Sequence, residues 1–515
     1  MISYFNIFII FILSFIYSSD LNKIEITLLG GAKQVSGSSF LIDTNLDDFL
    51  IDCGIFYPEH QHIDYDIDKY NTKDKNSKLE VNPNQISNII LTHAHLDHIG
   101  KVPFMVKKGF KGKIILTKKT AEIASVMYEK MTLKNSDFGE EKFFKSINSN
   151  KFHSHNSCKW RKKINQNNLK TIYMNRSDLD YPETMCKQCI QHELEDIESL
   201  YHIIEYRNPY NLFDEIFIEF YDAKHIPGSA SILMTYDIND KKESIYFSGD
   251  VGSGIDNILE GEPENPKAVD YIFMESTYGG YSRSLSNNPF QEFYKSINQS
   301  IQNNQLIWIP SFVLDRTQKI LNQIKIGYKK GYIENIPPIY ILSGSAKEIN
   351  KVYAKYYDFK TGFENESYNM SLRNTSYLND KPAIIMTPSY VDDLDFFHPI
   401  IKEIIEDKDS DIYIVGYQDP RSFGGILKKI KKNEVVNLGN DTFKVNADVE
   451  YLGSAFSGHL DENGILNYIN ELNVKKGVYL THGSYESMKK LKVKIDNTFD
   501  INCEIPDYEW KLKLK

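Results

Sequence analysis

The chain has 515 residues, 41% of them hydrophobic and 25% charged, with 28 glycines and 17 prolines spread along it. That length is too great for one ordinary core and calls for two or three domains, while the composition excludes a disordered or fibrous chain. A net charge of −10 excludes a broad basic surface that holds nucleic acid by charge alone, but not a local basic groove or a metal centre that meets phosphate.

Residues 1–20, "MISYFNIFIIFILSFIYSSD", are apolar through their middle. The apolar run is shorter than the roughly 20 residues that cross a bilayer. It has the length of a signal-peptide core but lacks a basic start and a small-residue cleavage site. The reading stays open between a signal peptide or anchor and a plain N-terminal extension, so the location stays open too. An exported or anchored protein follows if the segment is a signal.

Residues 21–280 form the first part of a first domain. "KIEITLLG", "SSFLIDT" and "FLIDCG" predict strands separated by the glycine-rich turn "GGAKQVSGS". "ISNIILTHAH" is a continuous apolar run, which predicts a strand covered on both faces. "KIILTKKTAEIASVMYEKM" predicts a strand, a threonine cap and an amphipathic helix. Residues 130–211 break the rhythm with a polar, lysine-rich insertion. Strands resume in "EIFIEFYDAKHIPGSASILMTYDI", "ESIYFSGDVG" and "AVDYIFMESTYGG". Residues 281–422 alternate helix and strand, which predicts a second α/β domain with a parallel sheet. Residues 423–515 return to the first domain, since chemistry-bearing residues lie on both sides of the second. The fold class is therefore α/β, with one domain inserted into another.

The stretch "THAHLDHIG" concentrates His93, His95, Asp97 and His98 at a strand end. Imidazole and carboxylate both suit zinc at about 2.0–2.2 Å. Four such donors in six residues cannot all reach one ion, but two pairs can serve two ions about 3.5–4 Å apart. A polar loop of unrelated histidines is the alternative. Further donors lie at other strand ends: His225 in "YDAKHIPGSAS", Asp250 in "YFSGDVG" and His482 in "GVYLTHGSYES". Asp52 in "LIDCG" stands where it could orient a ligand from behind. Each alone reads as an ordinary hydrogen-bonded strand end; together they point to a shared site.

These motifs resemble those of the metallo-β-lactamase superfamily, whose signature is H-x-H-x-D-H. "FMESTYGG" with Glu275, "GSAFSGHLDENG" with His459 and "LTHGSYESMKKL" with His482 are similar to the further motifs of its β-CASP branch. "WIPSFVLDRTQKIL" and "IVGYQDPRSFGG" resemble that branch's inserted domain. The resemblance spans about residues 21–482. It implies an αββα sandwich with an inserted α/β β-CASP domain, and two zinc ions. His93, His95 and His225 would hold one ion, Asp97, His98 and His482 the other, with Asp250 bridging and Asp52 behind. It implies hydrolysis of RNA phosphodiester bonds by a metal-bound hydroxide. His459 would be the general acid, Glu275 would orient it, and Asp97 would belong to the catalytic set.

The chain departs from the family pattern in two places. Where relatives carry Ser-Gly-Met, "MTPSYVDD" keeps Ser389 but has Tyr390, Val391, Asp392 and Asp393. A tyrosine cannot bring backbone as close to a ligand as glycine can. Ser389 and Arg316 remain the candidates for holding substrate. The polar insertion carries His155-x-x-Cys158 and Cys186-x-x-Cys189, two paired elements with the spacing of a structural zinc site. Free buried thiols are the alternative. Five cysteines in all, with Cys53 and Cys503, are too few and too odd in number for a disulfide framework.

The expectation is a zinc-dependent RNA nuclease. An endonucleolytic mode is favoured because little chain follows His482, and that function favours the cytoplasm. Its partner is RNA, with no DNA specificity expected and a homodimer left open. The rivals are a metallohydrolase of a small ester or phosphodiester, and an inactive RNA-binding scaffold.

Overall fold

The computed structural model describes residues 21–57, 75–76, 78–133, 187–213, 215–254, 258–283, 288–357, 376–388, 394–416, 423–438, 441–453 and 455–514. The N-terminal segment 1–20, Ser389 with the residues that follow it, and His155, Cys158 and Cys186 lie outside them. Cys189 falls in a helix, Lys187–Glu198, without a described side chain. Among the described residues no helix is long and apolar enough to cross a membrane.

Two seven-stranded sheets carry the first domain. The first comprises β1 (Ile24–Gly30), β2 (Ser39–Thr44), β3 (Asp48–Ile51), β4 (Ile86–Ile90), β5 (Lys113–Leu116), β6 (Tyr201–Ile203) and β21 (Lys511–Leu514). Its order is β21-β1-β2-β3-β4-β5-β6. The second comprises β7 (Tyr210–Phe213), β8 (Ile216–Asp222), β9 (Ala230–Ile238), β10 (Lys241–Phe247), β11 (Val269–Glu275), β19 (Val474–Thr481) and β20 (Asn502–Glu504). Here the order is β20-β19-β11-β10-β9-β8-β7.

The apolar periodicity explains how the sheets stack. Ile24, Ile26 and Leu28 of β1 share one buried cluster with Ile232, Met234, Tyr236 and Ile238 of β9. Alternate residues thus meet between the sheets. Phe40 of β2 packs edge-on against Phe247 and Phe273 of the opposite sheet, each at 5.1 Å, and those two rings stack on each other. Such aromatic pairs add about 0.5–1.5 kcal/mol each beyond their buried area. The outer face of the first sheet is covered by the helix Lys118–Leu133 and its neighbours, with Ile123, Ala124 and Tyr128 buried. The helices Glu462–Leu472 and Tyr485–Thr498 cover the second, through Ile465, Ile469, Leu491 and Ile495. Helix, sheet, sheet and helix form the αββα sandwich.

The third sheet is parallel throughout, as the alternating pattern predicts. It contains β12 (Leu306–Ser311), β13 (Ile339–Ile341), β14 (Ala383–Pro388), β15 (Ser410–Ile414) and β18 (Asp448–Tyr451), in the order β13-β14-β12-β15-β18, while β16 (Val435–Leu438) and β17 (Asp441–Lys444) pair as a separate antiparallel ribbon. The odd-numbered residues Ile307 and Ile309 of β12 face one cluster and Leu306 and Trp308 the other. Both faces are therefore covered, which accounts for the unbroken apolar run.

Two boundaries differ from the sequence reading. The third sheet runs past residue 422, because β18 is its edge strand and Phe443, Val445 and Ala447 pack in its core. The last third of the polar insertion is part of the sandwich: β6 extends the first sheet, and Leu194 and Ile197 of the helix Lys187–Glu198 pack under it.

The connection between the domains positions the site. β11 and β19 are neighbours in parallel register, with Glu275 opposite Thr481. Everything from 276 to 473 is inserted between two adjacent strands. Residues that end β11 and β19 are side by side although that whole stretch separates them in sequence.

Candidate metal centre

Donor side chains gather at the strand ends, each for a local reason. Parallel pairing of β3 with β4 sets Ile51 against Ile90. Asp52, the next residue, takes a left-handed turn at φ 58°. Its carboxylate accepts from Thr92 N at 2.8 Å and Thr92 Oγ1 at 2.8 Å. The chain after Thr92 turns into a one-turn helix, Leu96–Ile99, which carries Asp97 and His98 inward. His225 follows β8, with its backbone N–H donating to Ser229 Oγ at 3.0 Å. Asp250 follows β10. His482 follows β19 in a left-handed conformation at φ 48°, and its backbone N–H donates to Gly31 O at 2.8 Å.

These residues form two groups that share one carboxylate. His95 Nδ1 lies 3.0 Å from His93 Nε2 and 3.1 Å from His225 Nε2. Asp250 Oδ2 is 3.5 Å from both of those Nε2 atoms. The other oxygen, Asp250 Oδ1, is 3.3 Å from His98 Nε2 and 3.4 Å from His482 Nδ1. His482 Nε2 is in turn 3.3 Å from Asp97 Oδ2. Asp250 thus presents one oxygen to each group.

The donor set fits metal ions. Donor separations of 3.0–3.5 Å are what atoms about 2 Å from a common ion would show. His98 Nε2 and Asp250 Oδ1 are fully buried and, among the described residues, have no hydrogen-bond partner, a costly state that coordination relieves. Burial holds His93 and His225 well below the ordinary histidine range, and lowers His95. Neutral imidazoles with lone pairs are what a cation requires. Burial works against charge on Asp250 and Asp97 as well, but the surrounding histidines outweigh it and keep both ionised.

Behind the donors stand groups that orient them. His98 Nδ1 lies 2.7 Å from Asp52 Oδ2, and His225 Nδ1 lies 2.7 Å from the carbonyl of Gly458. Each such partner accepts the ring proton and fixes the tautomer that faces inward. Gly458 is fitted to its place, since a Cβ there would lie 3.2 Å from the His225 ring.

Beside the donors lies an acid–base pair. His459 Nδ1 is 2.9 Å from Glu275 Oε1, and Glu275 is buried. The same carboxylate accepts from Val251 N at 2.9 Å and Thr277 N at 3.3 Å. The His459 ring is 4.6 Å from that of His225 and 6.0 Å from that of His482. It therefore touches the edge of both donor groups, with Nε2 as its remaining nitrogen.

Every donor expected from the sequence is in this cluster: His93, His95, Asp97, His98, His225, Asp250 and His482, with Asp52, Glu275 and His459 around them. Arg316 is not against the donors. It opens the helix Arg316–Lys329, and its Nη1 donates to the Val415 carbonyl, while Nε has no hydrogen-bond partner among the described residues. The lysines at 428, 429, 431 and 432 form a basic stretch, in which Lys428 lies over the Tyr451 ring at 3.5 Å and Lys432 pairs with Asp448 at 2.7 Å. Sequence reasoning missed Thr92, Ser229 and Gly458, which hold ligands through backbone or hydroxyl contacts. "LTH" occurs before both His93 and His482, and that repeat could have marked Thr92.

Three family profiles match consecutive parts of the chain. Residues 32–137 match the metallo-beta-lactamase superfamily, residues 317–427 the Beta-Casp domain, and residues 442–506 the Zn-dependent metallo-hydrolase RNA specificity domain. The chain is 24% identical over 508 residues to the transcription termination factor FttA of Methanosarcina mazei, covering 91% of this chain and 70% of that protein. It is 24% identical over 493 residues to an RNase J-like protein of Methanocaldococcus jannaschii, covering 93% and 96% respectively. Among solved structures, a protein of unknown function from Enterococcus faecalis aligns with a TM-score of 0.52 at 12% identity, across 96% of this chain and 100% of the other.

Proposed function

The chain belongs to the β-CASP branch of the metallo-β-lactamase superfamily, a branch of metal-dependent hydrolases, and from that premise we propose that it cleaves phosphodiester bonds in RNA with two zinc ions. The observation that carries the reading is the His459–Glu275 pair set against two donor groups that share Asp250. Donors alone would serve any hydrolysis. A buried carboxylate holding a histidine at their edge adds a proton donor for a poor leaving group.

In this reading His93, His95 and His225 hold one ion and Asp97, His98 and His482 the other, with one oxygen of Asp250 toward each. Bound ions there would acidify a water and neutralise charge on the phosphate oxygens. The protein's own share is positioning and proton transfer. Glu275 Oε1 accepts the Nδ1 proton of His459 and so fixes the orientation of the ring. Nε2 then carries the proton that the leaving 3′-oxygen takes up as its bond to phosphorus breaks. Asp52 and the Gly458 carbonyl keep two of the ligand rings from turning. Cutting inside a strand is the mode the family resemblance implies.

The test is a metal count on purified protein together with cleavage of labelled linear RNA, circular RNA and DNA. Two zinc ions and linearised circular RNA are expected. His459→Ala is expected to keep the metal and lose about 10²–10⁴-fold in turnover. Cleavage by that variant at the wild-type rate removes His459 from the mechanism. Bound metal with turnover of a small phosphodiester and none of RNA replaces the RNA reading altogether.

A further inference from the structure

Arg283 follows β11 by eight residues and belongs to no donor group. It is buried, at 9% exposure. Its Nη2 donates to the carbonyl oxygen of His459, and its Cζ lies 5.9 Å from the centre of the Tyr278 ring. The Tyr278 ring is in turn 6.0 Å from that of His459. Among the described residues Nε and Nη1 have no hydrogen-bond partner, and the guanidinium makes no ion pair. Two carboxylates stand at this turn: Asp461 accepts from the backbone N–H groups of Arg283 at 2.7 Å and Gly464 at 2.9 Å, and Glu462 Oε1 accepts from Ser282 Oγ at 3.5 Å.

A guanidinium cannot shed its charge in a protein. Buried with N–H groups unpaired, it is a site prepared for an anion. Its place is held rigidly: Tyr281 O accepts from Glu462 N at 3.0 Å, so residues 281–283 are tied to the loop that carries His459. Beyond it Tyr281 is 46% exposed, an open ring of the kind on which single-stranded bases stack. Resting on the proposed RNA cleavage, we infer that Arg283 binds a phosphate of the substrate strand one linkage to the 5′ side of the cleaved bond. The direction follows from His459. It gives its proton to the leaving 3′-oxygen, so the nucleotide that bears this oxygen lies beside it. The next anion along that nucleotide is its own 5′-phosphate, and Arg283 is the cation on that flank. Planar guanidinium N–H groups match phosphate oxygens well.

The experiment uses the metal-loaded full chain and RNA carrying a single neutral methylphosphonate linkage, moved one position at a time around the cut. With the linkage one position to the 5′ side, the wild type is expected to show KM raised about ten- to a hundredfold, the range for a hydrogen-bonded charge. Its kcat should change little. R283Q should show a similar rise on natural RNA and no further rise on that modified RNA. R283K should recover part of the loss. Metal content and melting temperature of R283Q are measured alongside. If R283Q does not fold, the wild-type scan alone decides. Losses that multiply between variant and modified RNA overturn the inference, as does a sensitive linkage found only on the 3′ side. Those outcomes leave RNA cleavage standing; a wild type that cuts no RNA overturns the function itself.

Discussion

Asp52 sits at φ 58° and accepts hydrogen bonds from Thr92 N, Thr92 Oγ1 and His98 Nδ1. Its carboxylate therefore does two things at once. It fixes the end of β4, and it presents His98 Nε2 to the interior. An amide in its place would offer one acceptor and could turn an N–H toward His98. Asp52→Asn is expected to weaken metal binding about 10–100-fold, as loss of a partner behind a ligand does. Competition with a chelator measures it, and unchanged affinity would show that Thr92 and packing suffice to orient the ring. Burial lowers His98, but Asp250 and Asp52 outweigh it and raise it well above the ordinary histidine range. Without a metal that ring holds a proton, so metal uptake must displace one.

At the scale of elements, four strands of the second sheet are stapled through two carboxylates that share one lysine. Glu243 of β10 accepts from Tyr236 of β9 at 2.9 Å, pairs with Lys241, and meets Lys476 of β19 at 2.6 Å, which also reaches Asp270 of β11 at 3.3 Å. Burial raises Glu243, but the hydrogen bonds from Lys241, Lys476 and Tyr236 outweigh it and bring it from 4.5 to about 2. A carboxyl held below its unfolded value stabilises the fold fully above that value. The contribution is lost as pH falls from about 4.5 toward about 2. Glu243→Gln should cost about 1.5–3 kcal/mol at neutral pH and little near pH 2. Denaturant midpoints at both ends measure this, and a cost independent of pH would assign the effect to packing. These strands were legible because their apolar runs are long. β18, "DVEY", was not: it is four residues long and mostly exposed, with Val449 alone against the core, so its membership in the third sheet rests on pairing with β15 rather than on any periodicity. β6 is hidden in the same way by its three residues. The donors were readable because strand ends concentrate them. Arg283 was not, since an arginine in a loop reads as solvated until its burial is known.

Across the molecule, the two domains meet through a polar clasp. Lys119 Nζ donates to Tyr357 OH at 3.0 Å and lies 4.8 Å from the centre of that ring. Glu122 Oε1 accepts from Tyr356 OH at 2.7 Å and Lys355 Nζ at 2.6 Å. Pairs this exposed contribute about 0.2–1 kcal/mol each. Replacing Lys119 and Glu122 together by alanine should raise amide exchange in the helices Lys118–Leu133 and Gly344–Tyr356. Turnover of a small diester should stay within about twofold, because the donors are held by the sandwich. Unchanged exchange would place the junction's strength in the apolar cluster beneath. The adjacency of β11 and β19 has one more consequence, and it concerns time. A chain emerging from the ribosome has His93, His95, His98, His225 and Asp250 long before it has His459 and His482. For most of its synthesis the protein owns an incomplete set of donors and lacks the histidine that Glu275 holds beside them. The two donor groups can therefore close around their shared carboxylate only once β19 has paired with β11.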